Sequence, residues 1–377
     1  MGIQLGLNLV GSAWSRLRWR PNSRSFSFRR YQNKIRSKDI LLFAKQAALP
    51  PVICNAAKYG FLFSYQNIFK KEVQNCYSSS DNQLSLVQAL SLDYQDKTIG
   101  LIRLCRPKVA FGYFIAGLAG LFIGFSGLPT APNGVVGLIG IVAATSGIYM
   151  FNDIFDLESD CVDSPDRPIP SGVISKRQAL LVSGLLFTTS LSLAAISSLT
   201  ALVLTGILIA TGIFYSLPPV RLKRFFFMPN VSLGIMASVS FLIGGSFGPE
   251  FTSGVLLVGI MVLGYVLTMG FAKEFKDVEG DQVAGTTTLP ILVGMDLGAK
   301  IAVSGLLLSY VFFVIPYFLL DLNFLYPVLV SILFVYTAWF SLKFLESEKT
   351  KADCREFYDR GLQISITLFV LLILGSI

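Results

Sequence analysis

Long apolar runs separated by short polar segments make up the chain from residue 101 to its end. A run of about 18–20 apolar residues is long enough to cross a membrane as a helix. The uncharged stretch 178–220 is too long for one crossing, so residues 197–200 are interpreted as a tight turn between two helices. The pattern predicts nine membrane helices, near residues 109–127, 134–151, 178–198, 201–217, 231–248, 252–271, 301–320, 323–342 and 361–376. We therefore expect an all-α integral membrane protein.

The polar connections differ in charge on the two sides of this predicted bundle. The loops after the first, third, fifth and seventh helices contain no Lys or Arg, whereas the segments on the other side all contain several. Basic residues concentrate on the inner face of multi-pass membrane proteins, and nine crossings reproduce that bias. Every polar cluster is therefore predicted at one membrane face.

The composition is typical of a membrane protein, and the net positive charge of the chain comes from its N-terminal segment. Hydrophobic residues make up 53% of the 377 residues and charged residues 14%, against about 25% in soluble domains. Residues 1–50 hold ten Lys and Arg and one acid, which gives this segment a charge of +9. Since the whole chain carries +8, the rest is near neutral, and the charge gives no reason to expect a nucleic-acid partner.

The N-terminal segment has the composition of an organelle leader, because it is rich in Arg and Ser and has no acid before Asp39. We predict a transit peptide over 1–50, leader remainder and linker over 51–100, and the nine-helix domain over 101–377. The plastid is the favoured destination and the mitochondrial inner membrane is the second choice. The acidic motifs would then face the stroma. The alternative is a basic tail on the cytosolic side.

One acidic spacing occurs twice. Asp153, Asp156 and Asp160 follow the second predicted helix, and Glu274, Asp277 and Asp281 follow the sixth with the same intervals. The two copies suggest two four-helix units plus a ninth helix. If the helices continue through these segments, each set of acids lies on one helical face. In the first segment, Asn152 lies on the same face as the acids.

Two acidic faces at the same end of a bundle would repel each other unless cations lay between them. The chain has no His, so any metal must be held by oxygen ligands, which favours Mg²⁺ together with a diphosphate. The predicted metal ligands are Asn152, Asp153, Asp156, Asp160, Glu274, Asp277 and Asp281.

Basic residues near the same face are the predicted partners of the phosphate oxygens that a metal leaves uncovered. The segment "YSLPPVRLKRF" supplies them after the fourth helix, and further Lys and Arg precede the first helix and end the sixth. The predicted diphosphate-binding residues are Asn152, Arg221, Lys223, Lys273 and Arg103.

The motifs together resemble the UbiA superfamily of intramembrane prenyltransferases. The resemblance is carried by "NDxxDxxxD" at 152–160 with "RPIPSG", "YSxPPxRLK" at 215–223, and "KExxDxxGD" at 273–281 with "TLPxxxG". It covers about residues 101–377. One departure is Glu274, where many members have Asp. The branches that look most similar are the chlorophyll synthases and the digeranylgeranylglyceryl phosphate synthases.

The resemblance implies a helical bundle capped at one membrane face. It also implies Mg²⁺-dependent transfer of a prenyl group, here of the geranylgeranyl or phytyl class, from a prenyl diphosphate to a lipophilic acceptor. The acceptor could be an aromatic or quinone precursor, a tetrapyrrole or a glyceryl lipid, and membrane lipid surrounds the protein. The implied catalytic residues are Asp156, Asp160, Asp277, Asp281 and Tyr215. The alternative function is a transporter or channel that binds cations at the acidic loops.

Overall fold

The computed structural model describes residues 96–130, 132–249, 251–283 and 285–377. The predicted leader over 1–50 and most of the predicted linker over 51–100 lie outside the described residues. A helix covering 96–104 precedes the bundle. The helices that follow are α1 (Pro107–Phe125), α2 (Asn133–Phe155), α3 (Leu157–Asp163), α4 (Lys176–Ser197), α5 (Leu199–Ser216), a 3₁₀ turn (Leu222–Arg224), α6 (Met228–Gly245), α7 (Ser253–Lys276), α8 (Val278–Val283), α9 (Leu289–Val293), α10 (Met295–Leu308), α11 (Val311–Leu319), α12 (Leu325–Glu346) and α13 (Lys351–Ser376).

Nine of these segments within the described residues are long and apolar enough to cross a membrane, as predicted. The seventh crossing is formed by α10 and α11 together, over Met295–Leu319. The predicted turn between the third and fourth crossings is confirmed. Ser198 ends α4 and starts α5, because its backbone is extended and its hydroxyl accepts a hydrogen bond from the N–H of Ala201.

The structure moves two predicted helix starts. The ninth crossing begins at Lys351, ten residues before the predicted start, and the seventh begins at Met295 rather than at 301. Thr350 and Asp353 form a capping box that fixes the start of α13. The first turns of α13 are rich in charge, so the apolar pattern identifies only the later part of this helix.

The centre of the bundle is built around α2 and α6, which are mostly buried, whereas α4 and α12 mostly face outward. Glycines let α1 and α6 approach backbone to backbone. A Cβ atom on Gly120 would lie 1.9 Å from the carbonyl oxygen of Phe241, and one on Gly244 would lie 1.8 Å from that of Gly117. Close contact between small residues is a usual way to join membrane helices. This contact fixes α6 beside α1 and so helps position the segments at the end of the bundle.

Those segments form a cap, defined here as α3, the 3₁₀ turn, α8 and α9 with their connections. They follow the C-terminal ends of α2, α5 and α7, and α3 contacts α8. The "RPIPSG" turn follows α3, and its Ile169 joins a small apolar cluster with Leu104 and Met150. Most of the predicted site residues lie in or next to this region.

Candidate active site at the cap

The two acidic segments have the same backbone shape. The helix α2 ends at Phe155 and restarts as α3 after Asp156, which has φ −95° and ψ 7°. The helix α7 ends at Lys276 and restarts as α8 after Asp277, which has φ −105° and ψ 8°. The two segments therefore bend at equivalent acids, instead of continuing as straight helices. This shared bend supports the two-fold repeat that the acid spacing suggests.

Asn152 and Asp156 form the centre of the first segment. The Asn152 side chain donates through Nδ2 to Asp156 Oδ2 at 2.8 Å. Its Oδ1 accepts from the hydroxyl of Ser216 at 2.8 Å and from Lys223 Nζ at 3.2 Å. Lys223 also binds Asp156 directly. These contacts tie the end of α2 to the end of α5 and to the 3₁₀ turn.

Two partly buried arginines pair with the other acids of the first segment, whose carboxylates are buried. Asp153 binds Arg106 and lies 3.6 Å from Arg167. Arg167 also donates to Asp160 Oδ1 at 2.5 Å, while Asp160 Oδ2 is buried without a hydrogen-bond partner. Burial raises the pKa of Asp160, and the positive charge of Arg167 opposes that rise. Asp160 therefore keeps one oxygen for a further ligand, whereas Asp153 is covered by arginines.

In the second segment, Glu274 differs from the two aspartates. Glu274 is buried, and its two oxygens accept from Asn230 Nδ2 at 2.8 Å and from the N–H of Leu289 at 2.7 Å. These contacts give Glu274 a structural role that the predicted metal ligation did not foresee. It joins α7 to α6 and to the start of α9.

Asp277 and Asp281 follow Glu274 in the same segment, and all three acids line the cavity described below. Asp277 accepts from Lys276 Nζ at 2.8 Å. Burial alone would raise the pKa of Asp277, but Lys276 and Lys273 outweigh it, so the pKa lies below its usual range. Asp277 is therefore an ionised acceptor at neutral pH.

Tyr215 lies between two lysines. Lys273 Nζ donates to the Tyr215 hydroxyl at 3.2 Å, and the Nζ atoms of Lys273 and Lys223 lie 5.6 and 5.8 Å from the ring centroid. A ring face attracts ammonium groups, so Tyr215 holds both lysines towards the same space. Burial and the nearby charge of Lys273 lower the pKa of Lys223 to about 7. An anion bound beside the lysines would stabilise their protonated forms.

These groups surround one polar cavity. Its charged lining is balanced, with five cations (Arg106, Arg167, Arg221, Lys223 and Lys273) and five acids (Asp156, Asp160, Glu274, Asp277 and Asp281). Five buried side-chain polar atoms in the described residues lack a hydrogen-bond partner, and four belong to residues of this lining: Asp160 Oδ2, Arg221 Nε, Asn230 Oδ1 and Thr288 Oγ1. Each such atom costs about 1–3 kcal/mol of desolvation free energy. The cavity is thus built to gain from a polar ligand.

The structure does not bring Arg103 to the cavity, although we predicted that this residue binds the diphosphate. Arg103 is exposed on the helix that precedes the bundle, whereas Arg106 lines the cavity. Arg106 has φ 47° and stands between that helix and α1, so the chain turns there and redirects its side chain. A positive φ outside glycine is not visible in sequence spacing.

Seven other lining residues are not among the ligand candidates that the sequence predicts, and they include Arg167, Asn230, Gly270 and Thr288. Arg167 opens the "RPIPSG" segment and belongs to the basic residues of the loop after the second predicted helix, but neither feature predicts that it lines the site. Asn230 and Gly270 are uncharged residues next to or within predicted helix ends, and their spacing indicates no site. Thr288 opens the "TLPxxxG" segment, which contributes to the family resemblance but predicts no ligand contact by itself. Only the fold brings them beside the acidic segments.

Residues 113–370 match the sequence profile of the UbiA prenyltransferase family. The chain belongs to this family. It is therefore a prenyltransferase that uses a prenyl diphosphate, and it is a multi-pass integral membrane protein. The all-helical fold and the family resemblance predicted from the motifs are confirmed.

Curated relatives of this UbiA-family chain include archaeal enzymes of one name. A digeranylgeranylglyceryl phosphate synthase from Methanoculleus marisnigri is 33% identical over 195 residues, which cover 52% of this chain and 68% of the relative. The enzyme of that name from Methanosphaera stadtmanae is 28% identical over 279 residues, which cover 72% of this chain and 97% of the relative.

Solved UbiA homologs share the fold. One from Archaeoglobus fulgidus, bound to DMAPP and Mg²⁺, has a TM-score of 0.57 and 18% identity, and the match covers 72% of this chain and 98% of the homolog. A second structure of an Archaeoglobus fulgidus homolog, bound to GPP and Mg²⁺, has a TM-score of 0.57 and 17% identity over 73% of this chain and 99% of the homolog.

Proposed function

We propose that the protein transfers a prenyl group of the geranylgeranyl or phytyl class from its diphosphate to a lipophilic acceptor, and that it requires Mg²⁺. The observation that carries this proposal is the convergence of both acidic segments and five cationic side chains on one cavity in the cap. The relatives' names support a geranylgeranyl donor, and the homologs with DMAPP or GPP and Mg²⁺ support the metal.

The cavity residues fit Mg²⁺. Their acids offer only oxygen ligands, and the partnerless Oδ2 of Asp160 is one ligand atom not used within the protein. Among the described residues, no three His, Cys, Asp or Glu side chains are grouped closely enough to hold a metal without help. Mg²⁺ needs only one or two protein carboxylates when phosphate oxygens and water complete its shell. Asp156 and Asp160 would hold it on one side, and Asp277 and Asp281 on the other.

Charge balance gives a second argument for the metal. Five cations and five acids line the cavity, so its side chains alone supply no net positive charge for a diphosphate. When bound, Mg²⁺ would neutralise the negative charge that develops on the departing diphosphate. Asn152 lies too deep in its network with Lys223 and Ser216 to be free for a metal, and we assign it to positioning Lys223 and Asp156.

The basic side chains of the cavity would bind the diphosphate oxygens that face the cap. Arg221 and Lys223 come from the 3₁₀ turn and the residue before it, and Arg221 lies 3.9 Å from Asp156. Lys273 approaches from α7, while Arg106 and Arg167 close the side next to α3. Tyr215 would hold Lys223 and Lys273 in place, and the surrounding apolar helices would keep water from the reacting carbon.

The proposal is tested by incubating membranes that contain the full-length protein with Mg²⁺, geranylgeranyl or phytyl diphosphate and a panel of acceptors. The panel should include a glyceryl ether lipid, homogentisate and chlorophyllide. We expect a prenylated product with at least one acceptor, and we expect EDTA to abolish its formation. Absence of product with every pair, from protein that is folded and in the membrane, would contradict the proposal.

We also propose that the protein acts in a plastid membrane, with the cap facing the stroma. The support is the Arg- and Ser-rich composition of residues 1–50. A fusion of residues 1–100 to a fluorescent protein should enter plastids in plant cells. Import of the fusion into mitochondria would contradict the plastid and support the second predicted compartment. Fluorescence that stays in the cytosol would contradict the prediction that residues 1–50 are a transit peptide.

A further inference from the structure

The helix over 96–104, which precedes the bundle, is held against it by one apolar face. Leu104 is 1% exposed and belongs to the small apolar cluster that contains Met150 of α2. Gly100 lies on this face too, because a Cβ atom there would be 3.1 Å from the side chain of Ile174. The helix is therefore part of the folded domain and has a fixed orientation.

The opposite face of this helix, which we call the outer face, consists of Ile99, Ile102 and Arg103. These residues are three and four positions apart and so lie on one side of the helix. Ile99 is 50% exposed and Ile102 is 56% exposed. Arg103 is exposed as well, and its side chain makes no hydrogen bond or ion pair within the described residues. The described part of the chain therefore leaves the outer face uncovered.

The outer face lies at the level where the first crossing enters the membrane. The crossing α1 begins at Pro107, and the positive φ of Arg106 turns the chain there, so the preceding helix is not a continuation of α1. Phe111 of α1 is 51% exposed and faces the lipid around this crossing. Since four helical residues rise about 6 Å, the start of α1 lies close to the hydrocarbon. The helix over 96–104 is therefore at the depth of the lipid headgroups.

Basic side chains accompany the outer face. Four exposed cations near it make no side-chain hydrogen bond or ion pair within the described residues: Arg103, Lys108, Lys176 and Arg177. The last two begin α4, which packs on the same apolar cluster through Ala179. Exposed aliphatic side chains beside basic residues are the composition of a helix that lies in the membrane interface. Anionic lipid headgroups attract positive charge at this depth.

Lipid fits this face better than a protein partner does. Headgroups surround a membrane protein at this depth, so a protein partner would first have to displace them. A stable protein interface buries roughly 800 Å² on each partner. The two half-exposed isoleucines of the outer face supply only a small part of such an area. The same two side chains are sufficient to enter the upper part of the acyl chains beside a headgroup.

We propose that the outer face lies in the bilayer interface on the cap side and binds anionic lipid. Ile99 and Ile102 enter the upper part of the acyl chains, and Arg103 binds the headgroup phosphate. Arg103 thus has a different partner from the substrate diphosphate that the sequence predicts for it. Because Arg106 lines the cavity, the bound helix also sets the direction in which the chain enters the site. This proposal is independent of prenyl transfer.

Fluorescence quenching in phosphatidylcholine nanodiscs tests the position of the outer face. In the full-length protein with its native cysteines replaced by serine, Ile99→Cys or Ile102→Cys carries a small bimane label. The controls are Phe111→Cys, on the lipid-facing side of α1, and Asp166→Cys, at an exposed position of the cap. Phosphatidylcholine brominated in the upper part of its acyl chains should quench the labels at 99, 102 and 111. Aqueous iodide should quench only the label at 166.

The label at 102 also measures the preference for anionic lipid. In nanodiscs that mix phosphatidylglycerol with phosphatidylcholine, bromination of one lipid at a time gives the relative association constant of each lipid beside the label. We expect phosphatidylglycerol to be preferred. Arg103→Gln should lower this preference about fivefold, as loss of one cation near an anionic surface does. Arg103→Lys, the matched control that retains the charge, should keep the preference.

Three results would overturn the proposal. Quenching of the labels at 99 and 102 by iodide, without quenching by the brominated lipid, would place the outer face in water. Protection from both quenchers would show that protein covers the face, either residues 1–95 or a second copy of the chain. Equal association of the two lipids, or the same preference in Arg103→Gln as in Arg103→Lys, would exclude anionic lipid as the partner of Arg103.

Discussion

Glu274 and Asp277 lie about one helical turn apart in the same acidic motif, yet their surroundings differ. Glu274 uses both carboxylate oxygens inside the protein, on Asn230 and the N–H of Leu289. Asp277 contacts Lys276 and lines the cavity, and nearby lysines keep its pKa low despite burial. Equal spacing in sequence therefore conceals two roles, one structural and one for a ligand.

The first prediction compares Glu274→Gln with Asp277→Asn. The glutamine can accept only one of the two hydrogen bonds, so we expect about 1–3 kcal/mol lower stability and an unchanged Mg²⁺ concentration for half-maximal activity. Asp277→Asn removes a proposed metal ligand, so that concentration should rise about tenfold or more. Mg²⁺ titrations of activity and thermal unfolding in detergent measure both effects. A raised Mg²⁺ requirement in Glu274→Gln alone would reverse the two assignments.

Sequence patterns identified the charged side of the site better than its neutral side. Acids and lysines stand out in an apolar chain, and their repeated spacing indicated a shared face. Asn230 has an ordinary residue type for a helix end, and the contacts of Asn230 and of the Leu289 N–H with Glu274 depend on the packing of α6, α7 and α9. Arg106 lines the cavity, and the predicted Arg103 does not, because the positive φ of Arg106 redirects the chain at that residue. Neither effect is encoded in residue spacing.

At the scale of whole helices, the position of the cap depends on how closely α1 and α6 approach. Gly120 faces the carbonyl of Phe241, and Gly244 faces that of Gly117. No side-chain movement can relieve a collision with backbone atoms. Because α6 carries Asn230 and packs on α7, a shift of α6 would also move one wall of the cavity.

The second prediction is that Gly120→Val destabilises the protein and Gly184→Val does not. A Cβ atom at Gly120 would collide with backbone, whereas one at Gly184 has nothing within 4 Å. We expect a loss of about 1–3 kcal/mol or more in the first variant, as overpacking typically produces. Thermal unfolding of detergent-purified protein measures the difference. Equal unfolding temperatures for the two variants would contradict the close contact of α1 with α6.

The apolar pattern predicted the number and order of the crossings, because membrane helices need long apolar runs. It failed at the start of α13, where Lys351, Asp353 and Arg355 occupy helical turns that the pattern assigns to a loop. It also could not show the bends at Asp156 and Asp277, because acids at these intervals also fit a straight helix. Bends of this kind depend on packing within the cap.

At the scale of the whole molecule, the acids of the cavity come from the ends of crossings that all reach the cap. Asp156 follows α2 and Asp277 follows α7. A transporter places its ionisable residues near the middle of the membrane, where both sides gain access in turn. The arrangement here agrees with a site reached by diphosphate from one face only.

The third prediction concerns this one-sided access. In a background with the native cysteines replaced by serine, Asp156→Cys and Asp277→Cys should react with a membrane-impermeant maleimide from the same side. Gly206→Cys, within the fourth crossing, should not react from either side. Labelling of sealed vesicles from outside and after permeabilisation measures this. Reaction of positions 156 and 277 from opposite sides, or from both, would favour the transporter.

The most direct test of the central claim, that both acidic segments form one Mg²⁺-dependent prenyl transfer site, is turnover by purified full-length protein. Asp156→Ala and Asp281→Ala each remove an acid from a different segment of the cavity, and Asp166→Ala, which changes an exposed acid of the loop after α3, is the control. We predict that both cavity variants insert into the membrane and lose prenyl transfer, while Asp166→Ala keeps it. Wild-type turnover by either cavity variant would contradict the account.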